Sequence, residues 1–328
     1  MSYRQNSTMS ENVNWGNGSE KPLISVVIVN WNTREKLARC LESLFTHHPG
    51  LEIRITVVDN ASSDGSADMI KQKFPGIDLI ANQDNRGFAA ANNQAFARLD
   101  RQSRFVLVLN PDIVFTRNAL QPLVGFLQSR PEAHVVTPKI LDPDGSIQRG
   151  CRRRDPRPLI MLSSLLGLSR FFPKSKRFSG YTYGEIPEQE THEVEAASGS
   201  FLFFRREVLD AVGGFDERFF LYAEDLDWCL RVRKKGFSIY YYPETSVVHQ
   251  RASSSAQRPL SRLWHMHYTA FLYIVKNQRQ EYPVFVRSVL YLALACRLAL
   301  MALILPLQLV GKAFYRAKEK RQNADIEN

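Results

Sequence analysis

The chain has 328 residues, 44% hydrophobic and 23% charged, which excludes a low-complexity or fibrous polymer and leaves apolar mass for one large domain or two small ones. Its formal charge of +10 points to an anionic partner without choosing among nucleotide phosphate, lipid headgroup and nucleic acid. Cys40, Cys151, Cys229 and Cys296 have no C-x-x-C spacing, so neither a zinc site nor a disulfide framework is supported, and a reducing compartment is expected.

Residues 1–21 are polar and lack an apolar h-region; they read as a disordered lead, not a signal peptide, and the protein is expected to act from the cytoplasm. From Pro22 the pattern changes. "LISVVIVNWN" is a continuous β-branched run, as in a parallel strand covered on both faces. "TREKLARCLESLFTH" follows with Leu37, Leu41, Leu44 and Phe45 at helical spacing and Thr33 as its N-cap. A strand "IRITVVDN", a turn "ASSDGS", a helix "ADMIKQKF", a strand "IDLIAN", a helix from Gly87 to Leu99 and a strand "RFVLVLNPD" complete the alternation. The pattern predicts an α/β protein with a mainly parallel sheet whose site lies at the strand C-termini. The first strand-to-helix turn lacks glycine, which argues against a dinucleotide fold.

The second half is less regular. "QRGCRRRDPRP" is a basic, proline-broken connection whose Arg149, Arg152, Arg153, Arg154 and Arg157 lack the interleaved aromatics of a single-strand nucleic-acid platform. A strand with a short helix and a Gly-Gly stop follows, then "FSIYYYPETSVVHQ", a strand ending in His249, and helical "SRLWHMHYTAFLYIVKN".

Single residues leave two readings each. Asp59 ends a strand, where its carboxylate accepts hydrogen bonds from a base or sugar, or makes an Asx turn. Asn110 and Asp112 in "LNPD" end another, where Asp112 is a turn residue or a ligand for a divalent cation bridging a diphosphate. Arg86 and Gly87 open a helix, suited to an anion or to a simple cap. In "FFLYAEDLDWCLR" helix capping explains one carboxylate well and three poorly. A carboxylate there, screened by Phe219, Phe220, Leu221, Tyr222 and Trp228, fits a general base. His249 is a metal ligand or a structural strand-end residue.

The order "ISVVIVNWNTREKLARCLESL", "VVDNASSDGS", "NRGFAAANN", "LVLNPD", "FDERFFLYAEDLDWCLR" and "VVH" resembles the family-2 glycosyltransferases of the GT-A fold, most of all their bacterial rhamnosyltransferase-like branch. The resemblance implies a GT-A domain over 22–255, with a nucleotide-binding sheet flanked by helices, and a C-terminal helical region over 256–328. It implies inverting transfer of a sugar, L-rhamnose from dTDP-L-rhamnose, to a hydroxyl of a lipid-linked glycan acceptor; a UDP-hexose would use the same motifs. By the resemblance Asp59, Asn60, Arg86, Gly87, Asn110 and Asp112 bind the donor. Asp112 and His249 hold Mg2+ or Mn2+, Asp225 is the base, and Glu224 positions base or acceptor. Ser198, Gly199 and Trp228 contact the acceptor. The family's metal motif is D-x-D, and Asn110 at its first position supplies one negative charge fewer. A non-catalytic glycan- or lipid-binding scaffold is the rival class, and the intact Asp112 and Glu224–Asp225 set argues against it.

Residues 284–311 are overwhelmingly apolar, but Arg297 and Pro306 break them into runs shorter than the ~20 residues of a span. Arg287, Arg297, Gln308, Lys312 and Arg316 fall on one side of a helix, the pattern of an amphipathic helix on an anionic membrane surface, with "RAKEKRQ" adding attraction. A packed or dimer-forming helix and a true span are the alternatives. The expected location is therefore peripheral, at the cytoplasmic face of the cytoplasmic membrane.

Overall fold

The computed structural model describes residues 23–165, 168–172, 180–250 and 259–326; the lead at 1–21 lies outside them. β1 (Ile24–Asn30), α1 (Arg34–His47), β2 (Ile53–Asp59), α2 (Ser66–Lys73), β3 (Asp78–Ala81), α3 (Gly87–Phe96) and β4 (Phe105–Leu109) alternate in the predicted order. Every residue of β1 and β4 is buried, which is why both read as unbroken apolar runs. β1 pairs in parallel with β2 and β4, and β2 with β3. Their register sets Asn30 beside Asp59, so the polar residues that end the strands gather on one edge.

β5 (Ile113–Val114), α4 (Leu120–Ser129), β6 (Ala133–Leu141), β7 (Arg152–Arg153), α5 (Pro158–Leu165), α6 (Leu168–Phe171), β8 (His192–Glu193) and β9 (Ala196–Ala197) follow. Then come β10 (Phe201–Arg205), α7 (Arg206–Val212), α8 (Glu224–Lys234), β11 (Ser238–His249), α9 (Pro259–Asn277) and α10 (Val284–Ile326). The main sheet has the order β3-β2-β1-β4-β10-β6-β11-β5, with β8 on β11, among the described residues. β10 runs antiparallel to β4 and β6, so the second half of the chain enters the same sheet as the first.

Local differences from the sequence expectation have physical causes. The Thr33 hydroxyl does not cap α1; it donates to Asn30 Oδ1 at 2.6 Å, and Asp64 accepts from the Arg34 amide instead. The helix expected to reach Leu99 ends at Phe96. α10 continues through Pro306, which costs a helix one backbone hydrogen bond without obliging it to stop.

The C-terminal helices form an antiparallel pair packed against α5. Ile274 of α9 packs with Leu290 and Leu294 of α10, against Met161 and Leu162 of α5. Lys276 joins α9 to Asp216 and Asp227 at 2.6 Å each, and Asn277 donates to Asp227 at 3.0 Å. Asp227 is fully buried in this network and also pairs with Arg231, so it is structural. Arg297, one member of the basic stripe expected on α10, turns inward: it shares the side of Leu290 and Leu294, and its guanidinium lies 3.5 Å from His267 Nε2. Helical spacing explains it, since 290, 294 and 297 lie on one face. The exposed side is apolar, with Phe285, Val289, Leu292, Leu300 and Leu303. The side chains of Gln308, Lys312 and Arg316 lie outside the described ones. By length and composition alone, the 22 residues Val284–Leu305 are enough to cross a membrane.

His48 joins two helices across the domain. Its Nδ1 donates to the Leu44 carbonyl at the end of α1, and its Nε2 accepts from the Ala119 and Leu120 amides at the start of α4, at 3.1 and 3.2 Å. Only the neutral ring can do both. Burial holds its pKa at about 4, against a smaller upward pull from the Leu44 carbonyl. A folded pKa below the unfolded one means stability is complete above about pH 6.5 and is lost as pH falls toward 4. Between pH 7 and pH 5 the wild-type protein is expected to lose about 2 kcal/mol more unfolding free energy than His48→Gln, by urea titration. Equal losses in the two proteins would overturn this role.

Candidate active site

Asp59 is buried at the end of β2 with both oxygens engaged: Oδ1 accepts from Asn30 Nδ2 at 2.8 Å, and Oδ2 from the Ser62 amide at 3.0 Å. Asn60 is a scaffold. Its amide nitrogen donates to Asn85 Oδ1 and the Gly87 carbonyl, and its oxygen accepts from Asn82 and from the Arg86 amide. Arg86 extends outward toward Asp84. Gly87 has φ +81°, and a Cβ there would meet the Phe220 carbonyl oxygen at 2.5 Å. Glycine thus lets the Asn85–Gly87 loop dock on the segment before α8, sealed by the Phe88 amide donating to Phe220 O at 2.8 Å.

That segment carries backbone strain directly before the acidic pair: Tyr222 and Ala223 have φ of +73° and +65°. Ala223 turns the chain so that Glu224 and Asp225 begin α8. Asp225 Oδ2 accepts from Arg153 at 2.6 Å and from the Gly199 amide at 2.8 Å, while Oδ1 accepts from the Leu226 amide. Oδ1 keeps a lone pair for an acceptor hydroxyl. Burial would discharge Arg153, but the Asp225 charge outweighs it and holds the guanidinium cationic. Burial, and then the Asp225 charge, push the Glu224 carboxyl up to about 8, so it is mainly neutral at pH 7. Of the two adjacent carboxyls, Asp225 is the one that Arg153 pairs with.

Gly199 also joins this end to the other. Its Cα lies so close to Asp225 that an added Cβ would be 3.2 Å from the Asp225 Cβ. The next residue, Ser200, accepts through its carbonyl from the Asn110 amide at 2.9 Å. Ser198 turns its hydroxyl onto Ser200 Oγ at 2.9 Å. Asn110 and Asp112 thus lie across a three-residue loop from the acidic pair.

At this second end Asp112 Oδ1 is 3.0 Å from His249 Nε2. Gln148 fixes the imidazole. Its Nε2 donates to Asp142 Oδ1 and to the His249 carbonyl, so its Oε1 faces His249 Nδ1 at 2.9 Å and makes that nitrogen the donor. The Nε2 lone pair of the neutral ring then faces a carboxylate oxygen, an arrangement completed by a proton or a cation. Burial would raise the Asp112 carboxyl, but a proton on His249 Nε2, through its hydrogen bond and its charge, together with Lys36 holds it below its ordinary range. Among the described residues no three His, Cys, Asp or Glu side chains converge as a closed metal site. Asp112 and His249 fit a divalent cation that takes its remaining oxygen ligands from a bound diphosphate and water.

The glycosyl transferase family 2 model matches residues 25–213, and the glycosyl transferase family group 2 model residues 186–316. The chain belongs to glycosyl transferase family 2. This family-2 glycosyltransferase is 30% identical over 290 residues to the N-acetylglucosaminyl-diphospho-decaprenol L-rhamnosyltransferase of Mycobacterium tuberculosis, covering 85% of this chain and 92% of that one. It is 26% identical to rhamnosyltransferase WbbL of Escherichia coli K12, over 69% of this chain and 83% of that one. The mannosyltransferase PcManGT of Pyrobaculum calidifontis, solved with GDP-Man and Mn2+, shares the fold at a TM-score of 0.53 and 18% identity, covering 90% of this chain and 81% of that one. The GT-A architecture read from the sequence is the one present.

One predicted site residue belongs elsewhere. Trp228, expected at the acceptor, is 1% exposed, packs on Phe204 and Phe215, and donates its indole N–H to the Gly213 carbonyl. It is one helical turn beyond Glu224 and faces the sheet. Conversely, Asn30, Gln148 and Arg153 were missed as site residues. Asn30 carried a signal, a polar residue closing an otherwise apolar buried strand; Arg153 was hidden among neighbouring arginines.

The second end yields a metal test. His249→Ala is expected to weaken nucleoside diphosphate binding in Mn2+ by at least about tenfold, and to leave the weaker binding in EDTA unchanged. Calorimetric affinities for wild type that are equal in Mn2+ and EDTA would reject the cation assignment.

Proposed function

We propose that this protein is an inverting rhamnosyltransferase, moving L-rhamnose from dTDP-L-rhamnose to a hydroxyl of a lipid-linked glycan in cell-surface polysaccharide synthesis. The observation that carries the chemistry is the placement of Asp225 and the Asp112–His249 pair on either side of the Ser198–Ser200 loop. The names of the mycobacterial and Escherichia coli relatives support the sugar and the acceptor class.

In this reading Asp225 Oδ1 takes the proton of the acceptor hydroxyl as that oxygen bonds to the anomeric carbon. The bond from that carbon to the diphosphate oxygen breaks on the opposite face, which inverts the centre and releases a nucleoside diphosphate. Arg153 and the Gly199 amide orient Asp225; Glu224, neutral beside it, can donate a hydrogen bond to the acceptor. Asp59 and the loop braced by Asn60 receive the nucleoside. Mg2+ or Mn2+ held by Asp112 and His249 would offset charge on the leaving diphosphate.

The protein is read as lying on the cytoplasmic membrane surface. α10 packs along α9 through Leu290 and Leu294, and α9 is ion-paired to the catalytic domain through Lys276. A spanning α10 would carry those contacts and Arg297 into the bilayer, whereas a helix lying in the interface buries its exposed apolar stripe alone.

Asp225→Asn is expected to reduce transfer by at least about a hundredfold with nucleotide affinity within about threefold of wild type. Near-normal turnover in the purified variant would sink the base assignment, and a donor screen in which UDP-hexoses turn over and dTDP-L-rhamnose does not would replace the sugar. Leu292→Asp with Leu300→Asp should lower sedimentation with phosphatidylglycerol vesicles by at least about tenfold without changing nucleotide affinity. Unchanged sedimentation would place the membrane contact elsewhere.

A further inference from the structure

A cavity of about 380 Å³ opens beside Glu224 and Asp225, between α5, α8, α9 and α10. Its walls are mixed in a particular way. Ile160, Met161, Leu226, Met266, Ala270 and Leu294 make it largely apolar, yet two guanidiniums, Arg153 and Arg297, also line it. Arg153 is committed: it pairs with Asp225 at 2.6 Å and donates to the Ala197 carbonyl at 2.7 Å. Arg297 is not. Among the described residues it forms no ion pair, and its near partner is the imidazole of His267. His267 Nδ1 donates to the Leu263 carbonyl, so its Nε2 meets Arg297 with a lone pair, and the ring is neutral. Burial, then the Arg297 charge, press the His267 pKa down in agreement with this, against a pull from the Leu263 carbonyl.

Arg297 is half-buried in this wall beside a neutral ring and has no ion-pair partner among the described residues, so its guanidinium can take the anion of a ligand. The ligand that fits must bring an anion to Arg297, an apolar part to the walls and a hydroxyl to Asp225. The volume is near the lower end of ordinary ligand sites, room for a sugar ring with its phosphate and not for a long glycan. Both helices that form the mouth continue into exposed apolar faces, with Trp264 and Phe271 on α9 and Leu292 and Leu300 on α10. A hydrocarbon chain leaving the cavity therefore stays on apolar surface.

We propose that this cavity is the seat of the lipid-proximal diphosphate of the acceptor, with Arg297 binding its phosphate oxygens and the apolar walls taking the first units of the isoprenoid chain. The proposal rests on the reading of the protein as a transferase to lipid-linked acceptors and assigns that reading a residue. Arg297 is a binding residue that measures the distance from the phosphate to the hydroxyl facing Asp225. It discriminates against a neutral glycoside of the same sugar, which leaves the guanidinium unpaired.

The test uses the full chain in detergent, with nucleoside diphosphate present on the donor side, and measures binding of farnesyl diphosphate, farnesol and inorganic pyrophosphate. Wild type is expected to bind farnesyl diphosphate at least about tenfold more tightly than either of the others. Arg297→Gln should lose at least about tenfold toward farnesyl diphosphate and nothing toward farnesol, and Arg297→Lys should recover part of the loss. Ala270→Phe, which fills the cavity and retains the cation, should weaken farnesyl diphosphate as well and keeps the test decisive if the arginine variants do not fold. Equal affinity of wild type and Arg297→Gln for farnesyl diphosphate overturns the proposal. So does pyrophosphate binding as tightly as farnesyl diphosphate, which would make this a site for free phosphate. Nucleoside diphosphate affinity is read in parallel: its absence from wild type would tell against the transferase reading, while the farnesyl diphosphate comparison would still decide the cavity.

Discussion

The hydrogen bond from the Gly199 amide to Asp225 is the constraint on which the site turns. The same three-residue loop accepts from Asn110 through Ser200, so a single stretch of backbone sets the spacing between the acidic pair and the strand end that carries Asp112. The loop has this position because β10 pairs antiparallel with β4, Phe201 opposite Leu109. Had β10 continued the parallel order of the first half, the loop before it would lie at the opposite edge of the sheet from Asp112. The one reversal of direction beside β4 is therefore what brings the strand end that carries Asp112 and the loop that holds Asp225 to the same edge of the sheet. Glycine is required at 199 by proximity, since a side chain there would press on Asp225 itself.

Electrostatics then divides the labour between two adjacent carboxyls. Side by side and buried, they cannot both be charged cheaply. Arg153 pairs with Asp225, while burial and the Asp225 charge push the Glu224 carboxyl up. The result is an acceptor of protons and a donor of hydrogen bonds within one helical turn. The arrangement is held on both sides: Phe220 is clamped to the α3 side through the Phe88 amide, and its ring stacks on His265 of α9 at 4.7 Å between centroids.

What the sequence disclosed follows from how local each signal was. β1 and β4 were legible because burial on both faces writes a nearly continuous apolar string, and Asp59, Asp112 and His249 stood out because each is a polar residue at or just past the end of a strand. The Glu224–Asp225 pair stood out as an excess of charge beyond what a helix start needs, and Asp227 in the same cluster was indistinguishable from them by sequence; only its contacts with Arg231 and Lys276 show it to be structural. Trp228 misled because an aromatic next to a site is apolar in either role, and its direction depends on which face of α8 meets the sheet. Arg153 and Gln148 were illegible for a different reason. Their partners, Asp225 and His249, lie 72 and 101 residues away along the chain, and no periodicity encodes a contact of that kind.

Arg297 shows how the same limit shapes the reading of the tail. Hydropathy sees one cation in an apolar helix and assigns it to the water side, because in isolation that is where it is cheapest. Packing reverses the assignment. Once Leu290 and Leu294 face α9 and α5, the helical repeat carries Arg297 inward with them, and the face left outside is wholly apolar over Phe285, Val289, Leu292, Leu300 and Leu303. The proposed reaction, which joins a water-soluble donor to a membrane-borne acceptor, needs a polar edge and an apolar face at once. α10 offers the apolar face, because Arg297, the cation that would oppose its burial, is turned toward the cavity beside Asp225.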